Sequence, residues 1–312
     1  MTQAQQVVGV VTVTYNSASV LEDFMRSVEQ QTGVTVRLYV VDNASADETL
    51  EILDAWNPPC FVQVIRNDDN LGVAEANNQG IRQSLTDGCD WVMLLNNDTI
   101  FAPDTLATLT SEAIAKRLDI VSPVIEATIP PHTIWYSGGA IHPWLGMKND
   151  HLALGEPIAN FPKELTSTEY APTCALLFRP VVFERVGLMD ITYFVYHDDV
   201  DFAIRARRAG FAIWVTPLAT LTHKASSLTG GEFSDFSVRW SSRNWVLIAR
   251  LHSTPLQLAF FAVFLQSWAL ARVIVRRDTM HVYRGRVRAY AEGWRLPLRD
   301  HKVEHLEPAI TK

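Results

Sequence analysis

Cysteine is scarce in this 312-residue chain, with Cys60, Cys89 and Cys174 the three present. Their spacing matches no metal-ligand pattern, and any disulfide scheme leaves one unpaired. Structural thiols in a reducing cytoplasm are therefore expected. The N-terminus lacks a basic region followed by an apolar run and a small-residue cleavage site, which argues against a secretory signal. No repeat of fixed period is visible. Glycine is missing from Val11–Ser19, so the first strand is not followed by a Gly-rich phosphate loop. Positive charge is also unevenly spread. Residues 239–302 hold twelve Lys/Arg against three Asp/Glu, while residues 1–238 carry a net −15. An acidic body repels nucleic acid, and its basic tail suits an anionic surface.

A hydrophobic content of 48% is enough for one large core with a smaller appended module. Over the first 125 residues, strand-like and helix-like patterns alternate. Val8–Thr14, Val34–Val41, Phe61–Ile65 and Trp91–Leu95 read as strands. Ser19-Val-Leu-Glu22 and Ser45-Ala-Asp-Glu48 have capping-box spacing before helices, the second running through Trp56, and Val73 to Leu85 reads as a third helix. The fold class is α/β, with a parallel, doubly wound sheet. Between Pro130 and Pro172 a long loop or ribbon is expected, with Trp135, Tyr136 and Trp144 either stacking on a sugar or anchoring the loop. Beyond it, Tyr170–Phe178 reads as a strand and Pro180 as a helix start. Asp199–Ala209 reads as a helix, Phe211–Thr216 as a strand, and Pro217–His223 as a turn ending at a lone histidine.

In such sheets ligands sit beyond the carboxyl ends of the strands. Polar residues fall there each time: Thr14-Tyr15-Asn16, Asp42-Asn43, Asn70 with Gly72, and Asn96-Asn97-Asp98. Each alone is ordinary turn chemistry; four in series point to a shared pocket. Asp98 at the tip of a buried strand suits a hard divalent cation, Mg²⁺ or Mn²⁺, unless it caps a helix beginning near Pro103. His223 either completes that site or is structural, and Lys224, Ser226 and Ser227 behind it suit phosphate. Asp198, Asp199 and Asp201 fall within four positions, and like charges this close raise at least one pKa. Asp199 is the candidate general base, with Asp198, Asp201 and Arg205 in support. The plainer reading is an acidic helix start favoured by the helix dipole.

The order Thr14-Tyr-Asn16, Val41-Asp-Asn-Ala-Ser45, Asn70-Leu-Gly72, Asn77-Asn-Gln-Gly80, Asn96-Asn-Asp98, Tyr193-Phe…Asp198-Asp199-Val-Asp201…Arg205 and Pro217…His223 resembles family 2 glycosyltransferases. Within them it is similar to bacterial rhamnosyltransferase-like enzymes of cell-surface polysaccharide assembly. The resemblance covers residues 7–230, and Arg243-Asn244 also recurs there. It implies a GT-A fold, a nucleotide-diphosphate sugar donor and single-displacement transfer with inversion. By the same resemblance, Thr14, Tyr15, Asn16 and Asp42 hold the nucleoside, with Asn43, Asn96 and Asn97 in the donor set. Gly72 and Asn78 shape the donor pocket. Asp98 and His223 are the metal ligands, and Asp199 is the base. Departures from the pattern are Asn96 for Asp, Asp198 for Glu, Thr173-Cys174 for Gly-Ala, and Gly187-Leu-Met-Asp190-Ile for Gly-Gly-Phe-Asp-Glu.

Pro255–Val275 is apolar but interrupted by Gln257, Gln266, Ser267 and Arg272. It reads as an interfacial helix, or as one packed on the body or in a homodimer. Arg276 to Arg299 suits an anionic partner such as a polyprenyl-pyrophosphate-linked acceptor. The expected division is a catalytic domain over 1–238, with its nucleotide-sugar half at about 1–125 and acceptor half at 126–238, and a helical basic extension over 239–312. Expected membrane contact spans about 255–299. The expected activity is rhamnosyl transfer from dTDP-rhamnose to a lipid-linked or polysaccharide acceptor, in the cytoplasm at the inner face of the membrane. The rivals are a sugar nucleotidyltransferase, which the glycine-free first loop disfavours, and a non-catalytic glycan-binding scaffold.

Overall fold

A computed structural model describes residues 5–161, 163–224, 233–298 and 303–306. Strands and helices alternate through the first half: β1 (Val7–Thr14), α1 (Ala18–Glu29), β2 (Thr35–Asp42), α2 (Thr49–Ala55), β3 (Phe61–Arg66), α3 (Gly72–Thr86) and β4 (Trp91–Leu95). Then come β5 (Thr99–Phe101), α4 (Thr105–Lys116), β6 (Ile120–Ala127), β7 (Thr133–Tyr136), β8 (Gly139–His142), β9 (Lys148–His151), β10 (Thr166–Thr168), β11 (Ala175–Phe178), α5 (Pro180–Val186), α6 (Asp198–Arg208) and β12 (Ile213–His223). Three helices follow: α7 (Asp235–His252), α8 (Pro255–Ile274) and α9 (Met280–Arg295).

The main sheet has the order β10-β12-β6-β11-β4-β1-β2-β3, with β5 on β12 and β7 on β6. β3, β2, β1 and β4 run parallel, as do β6 and β12, while β11 enters antiparallel between β4 and β6. β1 reads as a near-continuous valine run because helices cover both faces of a parallel sheet. Val8, Val10 and Val11 are fully buried, each contributing about 1.5–3 kcal/mol. α3 lies tight against β1, because a Cβ on Gly80 would meet the Val11 side chain.

Two helix starts differ from expectation. α1 begins at Ala18, after Ser17, and Ser19 lies inside it. α2 begins at Thr49, because Ser45 donates to Asp42 and accepts from Asn16 N–H instead of capping. The strand expected over Tyr170–Phe178 is confined to Ala175–Phe178, since Pro172 has no N–H to give a ladder. The turn expected at Pro217–His223 is the second half of β12. The register shifts between Thr216 and Thr220 and pairing then resumes to His223, so Pro217 sits in a bulge, where its missing N–H breaks no ladder. Asp98 caps no helix, for β5 follows it and α4 starts after Asp104. The expected ribbon is present as the β8–β9 hairpin.

α7 straddles the boundary expected at residue 238, and Trp245, Phe261 and Tyr290 of the last three helices belong to the same hydrophobic core as the sheet. Two interruptions in α8 have local causes. Gln257 completes a capping box with Thr254, and Arg272 pairs with buried Asp278, which also takes Arg286. The inner face of α8 buries Phe261, Leu265 and Ala269, while Leu256, Phe260, Val263, Leu270 and Ile274 are exposed. By length and composition alone, α8 is long and apolar enough to cross a membrane.

Candidate active site

Because β1, β2 and β4 run parallel, their carboxyl ends open onto one edge of the sheet, with Thr14 opposite Asp42 in register. Asp42 is wholly buried and accepts from Thr14 Oγ1 at 2.8 Å, Ser45 Oγ at 2.6 Å and Ser45 N at 2.9 Å. It therefore locks the β1 and β2 loops together. Asn16, at φ +52°, accepts from Ala46 N at 2.8 Å. The loop pair leaves Tyr15 exposed, with an aromatic face open for stacking.

Gly72 opens α3 at φ +83°, and any Cβ there would lie 2.5 Å from Phe194 O; glycine is required on both counts. Asn43 Nδ2 donates to Gly72 O at 3.1 Å. Asn78 is a strut: its Nδ2 donates to Met189 O and its Oδ1 accepts from Met189 N. Asn97 also points inward, donating to Val13 O at 2.7 Å and Ser17 Oγ at 3.0 Å. Of the strand-end asparagines, Asn16 and Asn96 stay exposed.

Asp98 and His223, 125 residues apart in sequence, meet with Oδ1 3.1 Å from Nε2. The cause is β12, whose last residue pairs with Thr99 beside Asp98. Asn96 Nδ2 lies 3.5 Å from the same Nε2. One carboxylate, one imidazole and one carboxamide make an oxygen and nitrogen set suited to Mg²⁺ or Mn²⁺. No group of three His, Cys, Asp or Glu side chains placed to hold a metal ion occurs among the described residues. A Mg²⁺-type site needs few protein carboxylates when substrate phosphates complete it, so the donors present fit such an ion. Lys224 is not free for phosphate: its Nζ pairs with Asp23 at 2.6 Å and draws the Asp23 carboxyl below its ordinary value. Ser226 and Ser227 lie outside the described residues.

A file of rings leads from His223 toward the acidic cluster. Trp135 contacts His223 and His151 edge-on, each at 4.6 Å between centroids. His151 stacks on Tyr170 at 5.9 Å, and the Tyr170 hydroxyl donates to Asp199 Oδ2 at 2.6 Å. Tyr136 is fully buried and donates to Tyr170 O, so it anchors the wall, whereas Trp144 is exposed and lies against Phe260 of α8.

The three carboxylates at the start of α6 occupy different environments. Burial pushes Asp199 up, opposed by the Tyr170 hydroxyl and the Val200 N–H. Burial and then the neighbouring Asp199 charge push Asp198 well above the carboxylate range. Burial works the same way on Asp201, but the His252 hydrogen bond and the Arg205 charge outweigh it and hold Asp201 low. Those partners lie close, with His252 Nε2 at 2.6 Å and Arg205 Nε at 2.7 Å. Arg205 also donates to Val186 O and Leu188 O, so Asp201 and Arg205 fasten α6 in place. His197, just before the cluster, is pushed down to about 4 by burial.

Sequence reasoning missed Ser17, Ser45, Tyr170 and His252. Only contact across 29 to 51 positions reveals the last two, and no local pattern marks them. The assembled edge offers an exposed aromatic, oxygen and nitrogen donors that fit a divalent cation and, beyond a ring wall, a half-buried carboxylate.

Comparison with known proteins agrees with this geometry. The family "Glycosyl transferase family 2" matches residues 9–185. The N-acetylglucosaminyl-diphospho-decaprenol L-rhamnosyltransferase of Mycobacterium tuberculosis is 27% identical over 271 residues, 79% of this chain and 85% of that protein. GalNAc-T7, solved with UDP, GalNAc and Mn²⁺, superposes with a TM-score of 0.66 at 17% identity over 95% of this chain, which spans 57% of that one. The mannosyltransferase PcManGT from Pyrobaculum calidifontis, solved with GDP-Man and Mn²⁺, gives a TM-score of 0.57 at 16% identity over 94% of this chain and 85% of its own. The chain thus belongs to glycosyl transferase family 2 and is a glycosyltransferase built on the GT-A fold.

Proposed function

We propose that the chain is an inverting rhamnosyltransferase that moves rhamnose from dTDP-rhamnose onto a polyprenyl-pyrophosphate-linked glycan in cell-envelope synthesis. The sugar and the acceptor class rest on the 27% identical mycobacterial relative. The observation that carries the reaction type is the separation of roles along the ring wall, with Asp98 and His223 at one end and Tyr170-bound Asp199 at the other. The nucleoside lies against Tyr15, framed by the Thr14–Asp42–Ser45 lock. Asp199 takes the proton of the acceptor hydroxyl as its oxygen bonds to the anomeric carbon. The bond from that carbon to the diphosphate breaks on the opposite face, which inverts the centre and releases the nucleoside diphosphate. Mg²⁺ or Mn²⁺ held by Asp98 and His223, with Asn96 beside them, would neutralise charge on that leaving group. Asp198, kept toward its protonated form, spares Asp199 a second full negative charge next to it.

The exposed stripe of α8, with exposed Arg276, Arg277, Arg284 and Arg288 nearby, supports peripheral contact with an anionic membrane at the cytoplasmic face. Release of nucleoside diphosphate from dTDP-rhamnose, UDP-GlcNAc and GDP-mannose, with Mn²⁺ or EDTA and a polyprenyl-pyrophosphate-GlcNAc acceptor, tests the reading. Turnover is expected with dTDP-rhamnose, abolished by EDTA and by Asp199→Asn. Full turnover by Asp199→Asn would remove the base assignment, and preference for another donor the sugar. Co-sedimentation with phosphatidylglycerol vesicles tests the membrane contact; a protein that ignores them and elutes as a dimer through α8 overturns it.

A further inference from the structure

The segment that delivers the acidic cluster is held in an unfavourable backbone shape from behind. Phe194, Tyr196 and His197 have φ of +65°, +65° and +67°, a left-handed region that side chains with a Cβ avoid. Such a shape persists only where the surroundings over-determine it. The surroundings here are α7. The wholly buried Asn244 directs Nδ2 at three carbonyl oxygens of this one segment: Tyr193 O at 2.8 Å, Val195 O at 2.7 Å and Tyr196 O at 3.0 Å. Its own Oδ1 accepts from Arg243 Nη1 at 2.5 Å, and Arg243 Nη2 donates to Thr192 O at 3.0 Å. Trp240, one turn earlier, stacks on Phe194 at 4.6 Å and 18°. Phe194 O in turn accepts from Val73 N at 2.6 Å, at the glycine-opened start of α3.

We infer that Asn244, oriented by Arg243, is a positioning residue that sets where Asp199 stands relative to the donor. The inference rests on the assignment of Asp199 as base. An amide can feed several carbonyls at once, whereas a carboxylate or an alkyl group of the same size cannot. The three carbonyls converge on one side chain, so its loss releases the left-handed residues together. The α6 start then relaxes, although no donor-binding side chain on β1 or β2 is touched. The C-terminal extension thus forms the rear wall of the catalytic loop.

The test uses the full chain, dTDP-rhamnose with Mn²⁺, and the variants Asn244→Asp, Asn244→Leu and Val246→Ala. Val246 is buried on the same helix but faces Gly293 of α9, so it controls for general loosening of α7. Both Asn244 variants are expected to lose about 10²-fold in kcat, the scale of a 1 Å misplacement. Their donor KM and dTDP affinity should stay within about twofold, a split that uniform loss of binding does not produce. Amide exchange should rise over residues 193–199 and stay as in the parent over β1 and β2. Val246→Ala should match their fall in thermal midpoint while keeping kcat. Unchanged kcat in Asn244→Leu, or an equal loss in Val246→Ala, overturns the inference. If the parent turns over no donor, the assigned chemistry has failed, and the exchange measurement still decides whether Asn244 holds the loop.

Discussion

Replacing Tyr170 by phenylalanine removes one oxygen and leaves the ring stacked on His151. The lost hydroxyl donates to Asp199 Oδ2 at 2.6 Å, and burial keeps it protonated by pushing its own ionisation far up. Hydrogen bonds to charged groups are worth about 1.5–3 kcal/mol net. Here the bond favours the ionised carboxylate and opposes the burial that raises Asp199. Without it, Asp199 binds its proton more tightly and is an active base only at higher pH. The acid limb of kcat/KM should therefore move upward. At a pH where the parent base is ionised and the variant's is not, the loss should be about 10- to 150-fold, the hydrogen-bond energy read as a rate. On the alkaline plateau it should shrink to a few-fold. Transfer measured from pH 5 to 9 decides the matter. A loss of the same size at every pH would refute electrostatic tuning and leave Tyr170 as a packing residue.

Asp98→Asn should abolish Mn²⁺-dependent dTDP binding in calorimetry, while Asp199→Asn should leave that binding intact. Asp198→Asn should raise the thermal midpoint at pH 8 but little at pH 4. Its folded pKa is raised, so stability is lost as pH climbs from the unfolded carboxyl value of about 3.9 through the folded one, and asparagine removes that loss. Asp278→Ala removes the buried carboxylate shared by half-buried Arg272 and buried Arg286 and should cost about 3–5 kcal/mol in urea unfolding at pH 7. Because the folded pKa of Asp278 is lowered by those arginines against the pull of burial, the parent should also lose stability as pH falls below about 3.9 through that lower value. Gly80→Ala should destabilise by about 1–3 kcal/mol through overpacking on Val11, and Val11→Ala in the same chain should recover part of it.

The sheet was legible because its signals are local. The buried valines of β1 and β2 and the five apolar residues of β4 leave one reading each. The capping expectations failed where a serine had a stronger offer. Ser45 reaches a buried carboxylate, whereas Ser19 caps nothing because α1 already begins at Ala18. Spacing cannot register that competition: Asp42 lies three residues before Ser45, but only folding buries its carboxylate beside Thr14. Likewise Asn97 and Asp42 stand at the expected strand ends and Asn78 within the expected helix, yet each turns its polar atoms into the protein. Position along an element follows from the sequence; the direction of an amide follows from the partners that folding brings.

The acidic cluster shows what those partners do to chemistry. Along the chain, Asp198, Asp199 and Asp201 are three equal side chains at one helix start, and the helix dipole favours all of them alike. A dipole cannot choose a base among them; contacts can. Asp201 is neutralised by Arg205 and His252, and Asp198 is driven toward its proton by burial and its neighbour. That leaves Asp199, partly open to solvent and held by one hydroxyl and one backbone N–H, as the carboxylate proposed as base. His252 belongs to α7 and Tyr170 to the segment before β11, so the choice depends on chain 29 residues before and 51 after the cluster. Helix α7 therefore shapes the environment of the proposed base as much as the residues beside it do.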